Sequence, residues 1–114
     1  MNELRPRWQP LTFDGYLARA VLHQDRVEIT RRRIAKLGGN RDAVIRFEDV
    51  VSVTHRVPTL LVNGHVWFGT AEEPDAPPAH LAAGHPHALL FTLQQRETFD
   101  AFLESAVATW QAGR

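Results

Sequence analysis

Apolar and polar residues alternate in several short stretches before residue 93, and this pattern predicts strands. In residues 26–34 (RVEITRRRI), Val27, Ile29 and Ile34 are apolar and most positions between them are polar. A period of two is typical of a strand with one buried face. Similar patterns predict further strands at 16–23, 44–47, 51–55, 65–68 and 87–92, and LLV at 60–62 is a further short apolar run.

Glycine and proline predict where these strands turn. Gly38-Gly39-Asn40 is a strong turn signal after the third arginine of the RRR run. Pro58 interrupts the strand pattern, and Asn63-Gly64 is the dipeptide most typical of a tight hairpin turn. Residues 70–86 carry four prolines and three acidic side chains, so we predict a long Pro-rich loop there.

The last segment changes to a helical period. Its apolar positions are Phe99, Phe102, Leu103, Ala106, Val107 and Trp110. This spacing places them on one face of a helix. Thr92 and Gln95 match a capping box, because the hydroxyl and the amide can each satisfy a backbone N–H of the other residue. The helix is predicted from about residue 93 to about residue 111.

Strands followed by one amphipathic helix define the predicted fold class, which is mainly β with one C-terminal α-helix. Open sheet edges promote aggregation, so a sheet must close or be covered. A helix with an aromatic and aliphatic stripe is suited to cover the open end of a small barrel or bent sheet. We therefore expect the helix to pack against a layer built by the preceding strands.

Five segments, in this order, resemble a bacterial pleckstrin-homology-like (PH-like) family, domain of unknown function 4429. They are LTFDG, the Arg-rich stretch at 29–47, IRFEDVVSV, LVNGHVWF and LLFTLQQRETFDAFLESA. The resemblance covers residues 11–108. It implies a bent β-sandwich or partly open barrel of about seven antiparallel strands, in two nearly orthogonal sheets, which the C-terminal helix caps. The Pro-rich loop at 70–86 departs from the family pattern.

Length and composition set the remaining limits. The 114 residues fit one domain, 1–114, with its core at 11–111, and 44% of them are hydrophobic. The absence of cysteine excludes disulfides, thiol catalysis and Cys-based zinc sites. The first ten residues lack an apolar signal region, and no stretch is long and apolar enough for a transmembrane helix. The expected location is the cytoplasm, with a peripheral position at the inner membrane face as the alternative.

The formal net charge of zero conceals an uneven distribution, with most of the cations in the first half of the chain. In PH domains generally, a loop between early strands binds phosphoinositide headgroups, so the resemblance implies a comparable use of the Arg-rich segment. The candidate anion-binding residues are Arg31, Arg33, Lys36, Arg41 and Arg46. Guanidinium groups bind phosphate oxygens in a bidentate manner.

The geometry of a strand limits this candidate site. Neighbouring strand positions point to opposite faces, so Arg31 and Arg33 are expected on one face and Arg32 on the other. Bacteria mostly lack phosphoinositides, so the ligand would be a more general anionic lipid or a protein. The alternative interpretation is a solvated hairpin whose charges prevent edge pairing.

Other functions have less support. Nucleic-acid binding usually needs a markedly basic domain, and the net charge here is zero. His80, His85 and His87 lie close together, but no acidic residue stands at a recognised ligand spacing beside them. Ser52 and Ser105 lack a nucleophile motif. We therefore predict no enzyme, no catalytic residue, no metal and no cofactor.

Two hypotheses for function remain. The first is a non-enzymatic PH-like module that docks a protein partner or associates with itself, with Trp8 and Trp110 as candidate anchors. For Trp110 the favoured alternative is a buried residue through which the helix packs on the strands. The second is a peripheral domain that binds anionic lipid through the basic hairpin 31–46.

Overall fold

Seven strands and three helices are formed within residues 10–82 and 84–113, which the computed structural model describes. The strands are β1 (Leu11–Gly15), β2 (Ala18–Leu22), β3 (Arg26–Arg31), β4 (Ala43–Arg46), β5 (Val50–Arg56), β6 (Gly64–Thr70) and β7 (Ala88–Phe91). The helices are α1 (Arg33–Leu37), α2 (Ala79–Ala82) and α3 (Arg96–Ala112), with 3₁₀ turns at Phe47–Asp49 and Leu93–Gln95.

The strands form two antiparallel sheets that follow the order of the chain. The first sheet has the order β1-β2-β3-β4 and the second the order β5-β6-β7. No ladder joins the two sheets among the described strands, so they do not form a closed barrel. The predicted fold class is confirmed: seven antiparallel strands precede one long C-terminal helix.

The core lies between the sheets and α3. Phe99 on α3 stacks on Phe91 of β7 with ring centroids 3.6 Å apart, and it meets Phe13 of β1 edge-on at 5.7 Å. One aromatic side chain thus contacts both sheets. At the other end of α3, the indole Nε1 of Trp110 donates to the carbonyl of Val50 at 3.1 Å. The helix therefore packs against the strands as its apolar stripe predicts.

The start of α3 also follows the sequence prediction. The backbone N–H of Thr92 donates to Oε1 of Gln95 at 2.9 Å, completing the capping box. Nε2 of Gln95 donates to the carbonyl of Gly15, so the cap also connects α3 to the β1–β2 turn. None of the helices in the described part of the chain is long and apolar enough to cross a membrane.

The Arg-rich hairpin differs from its prediction. Strand β3 ends at Arg31, and the next residues form α1, so Arg31 and Arg33 do not share a strand face. The carboxylate of Asp42 accepts the backbone N–H of Arg31 at 2.7 Å, where the strand ladder would otherwise continue. The backbone N–H of Arg32 donates instead to Leu17 in the β1–β2 turn. These two bonds end the strand and allow one short helix to form.

The turn between β5 and β6 also differs from its prediction. Asn63-Gly64 does not form the turn; Gly64 is the first residue of β6. Its lack of a side chain serves close packing, because an added Cβ would lie 2.4 Å from the carbonyl of Arg56. The turn lies earlier, where the N–H of Thr59 donates to the carbonyl of Val62. Leu60 and Leu61 occupy its two central positions.

Candidate functional site

Helix α1 exposes cationic and apolar side chains together. Only Ala35 is buried in this helix. Ile34 is 65% exposed and Leu37 is 84% exposed. The exposed side chains of the helix and its flanks are Arg32, Arg33, Ile34, Lys36, Leu37 and Arg41, which we call the α1 surface.

One acidic residue, Asp42, is built into the base of the α1 surface. Its carboxylate lies 3.2 Å from Nζ of Lys36. The pKa of Asp42 is lowered, chiefly by the hydrogen bond from the backbone of Arg31 and then by Lys36. Asp42 therefore stays ionised at neutral pH and offsets the charge of Lys36. Among the described residues, none forms an ion pair with Arg33 or Arg41.

Arg32 belongs to the same surface, although the sequence analysis placed it on the opposite face. Its charge helps to lower the pKa of Asp14 on β1, after the larger effect of the hydrogen bond from Arg19. Arg32 is exposed and precedes α1 directly. The turn of the chain into a helix, rather than a longer strand, brings it beside Arg33.

Arg31 lies beneath this surface and is 7% exposed. Its Nε donates to the carbonyl of Arg41 at 2.9 Å. Its terminal nitrogen donates to the carbonyls of Pro86 at 3.1 Å and Ala88 at 2.9 Å. Burial lowers the pKa of Arg31, and Asp42 partly opposes this effect. An arginine remains charged under these conditions, so Arg31 acts as a cationic anchor that joins the β3–β4 and β6–β7 connections.

Arg46 lies at the other end of β4. It stands opposite Arg26 in the ladder with β3 and lines a cleft with Asp25 and Trp110. The structure thus brings Arg33, Lys36 and Arg41 together, places Arg31 below them and separates Arg46 from them. Sequence reasoning placed Arg32 on the opposite face and missed Ile34 and Leu37. The signal that could have found them is RIAKL followed by two glycines, which also fits a short helix with a glycine end.

Internal hydrogen bonds hold the ring of His85, whereas Nδ1 of His87 is buried without a hydrogen-bond partner among the described residues. The backbone N–H of His87 donates to Nδ1 of His85 at 3.0 Å, so the ring proton of a neutral His85 is on Nε2. That atom lies 3.2 Å from Oε1 of Glu73. Burial lowers the pKa of His87, and the neighbouring His85 adds to this effect. These contacts assign the pair to the internal packing of the β6–β7 connection.

The remaining candidates have the following positions. Within residues 10–82 and 84–113, no group of three or more His, Asp or Glu side chains is arranged to hold a metal ion. Ser52 donates its hydroxyl to the carbonyl of Pro74, and Ser105 lies in α3, where its carbonyl accepts from Thr109. Trp8 and the side chain of His80 lie outside the described residues.

No family model, curated protein or solved structure matches the chain. The resemblance to domain of unknown function 4429 stays a prediction.

Proposed function

We propose that this chain is a non-enzymatic binding module that docks peripherally on an anionic membrane through the α1 surface. The observation that carries the proposal is the exposure of Ile34 and Leu37 on the helix that also bears Arg33 and Lys36. Cations beside exposed aliphatic side chains are typical of segments that bind at the headgroup boundary of a bilayer.

Both kinds of side chain contribute to the expected affinity. A Lys or Arg close to an anionic bilayer contributes about 1 kcal/mol. The α1 surface has four cations, of which Lys36 is offset by Asp42. Full burial of an aliphatic side chain contributes about 1.5–3 kcal/mol. Partial burial of two such side chains therefore adds an amount comparable to the charges, and the sum fits reversible peripheral binding.

Protein docking ranked first among the hypotheses from sequence, and the composition of the α1 surface supports the membrane instead. Docking along an apolar sheet edge would not require four cations beside the aliphatic residues. An anionic bilayer satisfies the charges and buries Ile34 and Leu37 at the same boundary. Binding that persists without lipid, to an acidic protein alone, would favour the first hypothesis.

Vesicle co-sedimentation tests the proposal. The protein is mixed with vesicles of phosphatidylcholine alone or of equimolar phosphatidylcholine and phosphatidylglycerol. We expect binding to the anionic vesicles at low salt and its loss near 1 M salt, where the screening length is about 3 Å. Protein that remains in the supernatant with anionic vesicles at low salt contradicts the proposal.

Two sets of variants assign the binding to the α1 surface. Arg33→Glu and Arg41→Glu together should abolish binding. Arg46→Glu with Arg96→Glu is the matched control, because this pair changes the net charge equally at exposed arginines away from the α1 surface. Ile34→Ser with Leu37→Ser should weaken binding without changing its dependence on salt. Equal losses in these two double variants would show that only the overall charge matters, and would exclude the α1 surface as the site.

A further inference from the structure

The β5–β6 connection presents two leucines almost completely to solvent. Leu60 is 89% exposed and Leu61 is 95% exposed. Turn positions of this kind are usually polar or glycine, because aliphatic side chains there gain no burial. We call Leu60 and Leu61 the leucine tip.

Three hydrogen bonds close the turn that carries the leucine tip. The N–H of Thr59 donates to the carbonyl of Val62 at 2.8 Å. The hydroxyl of Thr59 accepts the N–H groups of Leu61 at 3.2 Å and Val62 at 3.0 Å. Three hydrogen bonds therefore fix the backbone on both sides of Leu60, and the exposure of the leucines is a feature of the fold.

The base of the connection is packed closely. Pro58 is buried, and a Cβ added at Gly64 would lie 2.9 Å from its ring and 2.8 Å from the ring of Phe91. Gly64 also pairs with Phe91 in the sheet. The exposed tip therefore extends from a closely packed base.

On the β5–β6 hairpin itself, the charged residue near the tip is basic. No acidic residue occurs between positions 50 and 71, whereas Arg56 and His55 are both exposed close to the tip. The nearest acidic residues in the chain are Asp49 and Glu72. The register pairs Val50 with Thr70 at the opposite end of the hairpin, about 20 Å away at the rise of a β-strand. The end of the tip is therefore apolar, at Leu60 and Leu61, and Arg56 at the end of β5 beside it is basic.

We propose that the leucine tip inserts into the headgroup–acyl boundary of an anionic bilayer. The tip is convex, with both leucines at its apex, so complete burial requires a medium that closes around them. A fluid bilayer does this without a preformed pocket, and its negative surface attracts Arg56. The inference rests on the proposed function only in taking the membrane as the partner, since the residues are different.

The tip and the α1 surface are linked through the β1–β2 turn. Leu17 accepts the backbone N–H of Arg32 at the start of α1, and Tyr16 donates its N–H to Leu90. Leu90 precedes Phe91, the partner of Gly64 at the base of the tip. Backbone hydrogen bonds at the β1–β2 turn thus connect the start of α1 to β7, the strand that pairs with the base of the tip, and Tyr16 in this turn is 45% exposed.

The chain has no cysteine, which allows a direct test with one introduced label. Leu61→Cys is labelled with an environment-sensitive fluorophore, and Ala101→Cys, exposed on α3, is the matched control. With equimolar phosphatidylcholine–phosphatidylglycerol vesicles, we expect a blue shift and quenching by spin-labelled lipid at position 61 only. A label at position 61 that stays aqueous while the protein is bound overturns the proposal.

A pair of serine substitutions measures the contribution of the tip. Leu60→Ser with Leu61→Ser should reduce vesicle partitioning about tenfold or more, from the apolar surface removed, and should leave the thermal melt unchanged. Val44→Ser is the control, because Val44 is 58% exposed on β4. Partitioning that is unchanged in the tip variant overturns the proposal.

The outcomes distinguish this inference from the proposed function. If Arg33→Glu with Arg41→Glu abolishes binding and the tip variant binds normally, the tip inference fails and the proposed function stands. If only the tip variant loses binding, the proposed function fails and the tip inference stands. If the tip variant instead changes a monomer–dimer equilibrium in sedimentation and not vesicle binding, the occupant is a second copy, and the inference is overturned.

Discussion

The guanidinium of Arg31 donates to the carbonyl of Ala88 at 2.9 Å, across 57 positions of the chain. The same side chain also reaches Arg41 and Pro86. One buried cation therefore fixes the relative positions of the β3–β4 and β6–β7 connections. It supports the α1 surface from below, while its own donors are occupied by backbone carbonyls.

Replacement of Arg31 should destabilise the fold. Arg31→Met leaves three or more carbonyls without their donor, and each unsatisfied buried group costs about 1–3 kcal/mol. We expect a loss of several kcal/mol in the free energy of unfolding, measured by urea denaturation. Arg31→Lys should recover only part of it, because an ammonium group lacks the planar fork. Arg33→Met is the matched control, and a comparable loss in that variant would contradict the assigned role of Arg31.

Stability should require glycine at position 64, because no side chain fits there. Gly64→Ala places a methyl group 2.4 Å from the carbonyl of Arg56, and overpacking of this kind costs about 1–3 kcal/mol or more. Gly38→Ala is the control, because its nearest atom is 3.5 Å away and its φ is −86°. Thermal melts should show a clear decrease for Gly64→Ala and little change for Gly38→Ala. Equal melting temperatures would refute the close approach at Gly64.

The stacked pair of Phe91 and Phe99 should be the main contact between α3 and the sheets. Phe99→Ala removes a fully buried ring and should cost about 3–5 kcal/mol. Leu93→Ala, at a partly exposed site before the helix, should cost much less. A mild effect of Phe99→Ala in denaturant titrations would show that the helix is held elsewhere.

Two histidines should make stability depend on pH. Burial lowers the pKa of both His65 and His87 from the ordinary value of 6.5. Arg56 and His55 lower that of His65 further, whereas Glu73 and Glu72 oppose the lowering for His87. Below pH 6.5 the unfolded chain therefore binds more protons than the folded chain, so stability should fall as the pH falls through this value.

Melting temperatures between pH of about 8 and about 5 measure this effect. In the double variant His65→Gln with His87→Gln, the slope near pH 6.5 should be reduced. The acidic side chains act in a separate window, because the pKa of Asp14 and Asp42 is lowered from 3.8 and their contribution is lost only at lower pH. A slope that is the same in wild type and double variant would assign the dependence to other groups.

The fold was largely predictable, because the spacing of apolar residues along the chain clearly indicates α3 and strands such as β3. Strand β1 has a weaker signal: its two buried positions are Phe13 and Gly15, so only one large apolar side chain marks its inner face. Gly64 misled the assignment of the turn, because Asn-Gly usually supplies a positive φ, whereas here the glycine permits contact with neighbouring residues.

The candidate site was only partly predictable. A run of three arginines has the composition of a solvated surface, and nothing local marks Arg31 as buried. Its acceptors include carbonyls 55 and 57 positions away, which only the tertiary structure brings close. Ile34 fitted the alternation of a strand, so its exposure on α1 was not expected. Leu60 and Leu61 were noted only as part of a short apolar run, and nothing in the sequence marked them as exposed.

Hydrogen bonds attach the long connection between β6 and β7 to the fold near both of its ends. Near its start, the hydroxyl of Ser52 donates to the carbonyl of Pro74 at 2.7 Å. At its end, the guanidinium of Arg31 donates to the carbonyl of Pro86. Between these ties, the entropic cost of extra chain grows by only about 0.6 kcal/mol per doubling of length. We therefore expect residues 75–78 to accept an inserted peptide without a change in the pairing of β6 with β7.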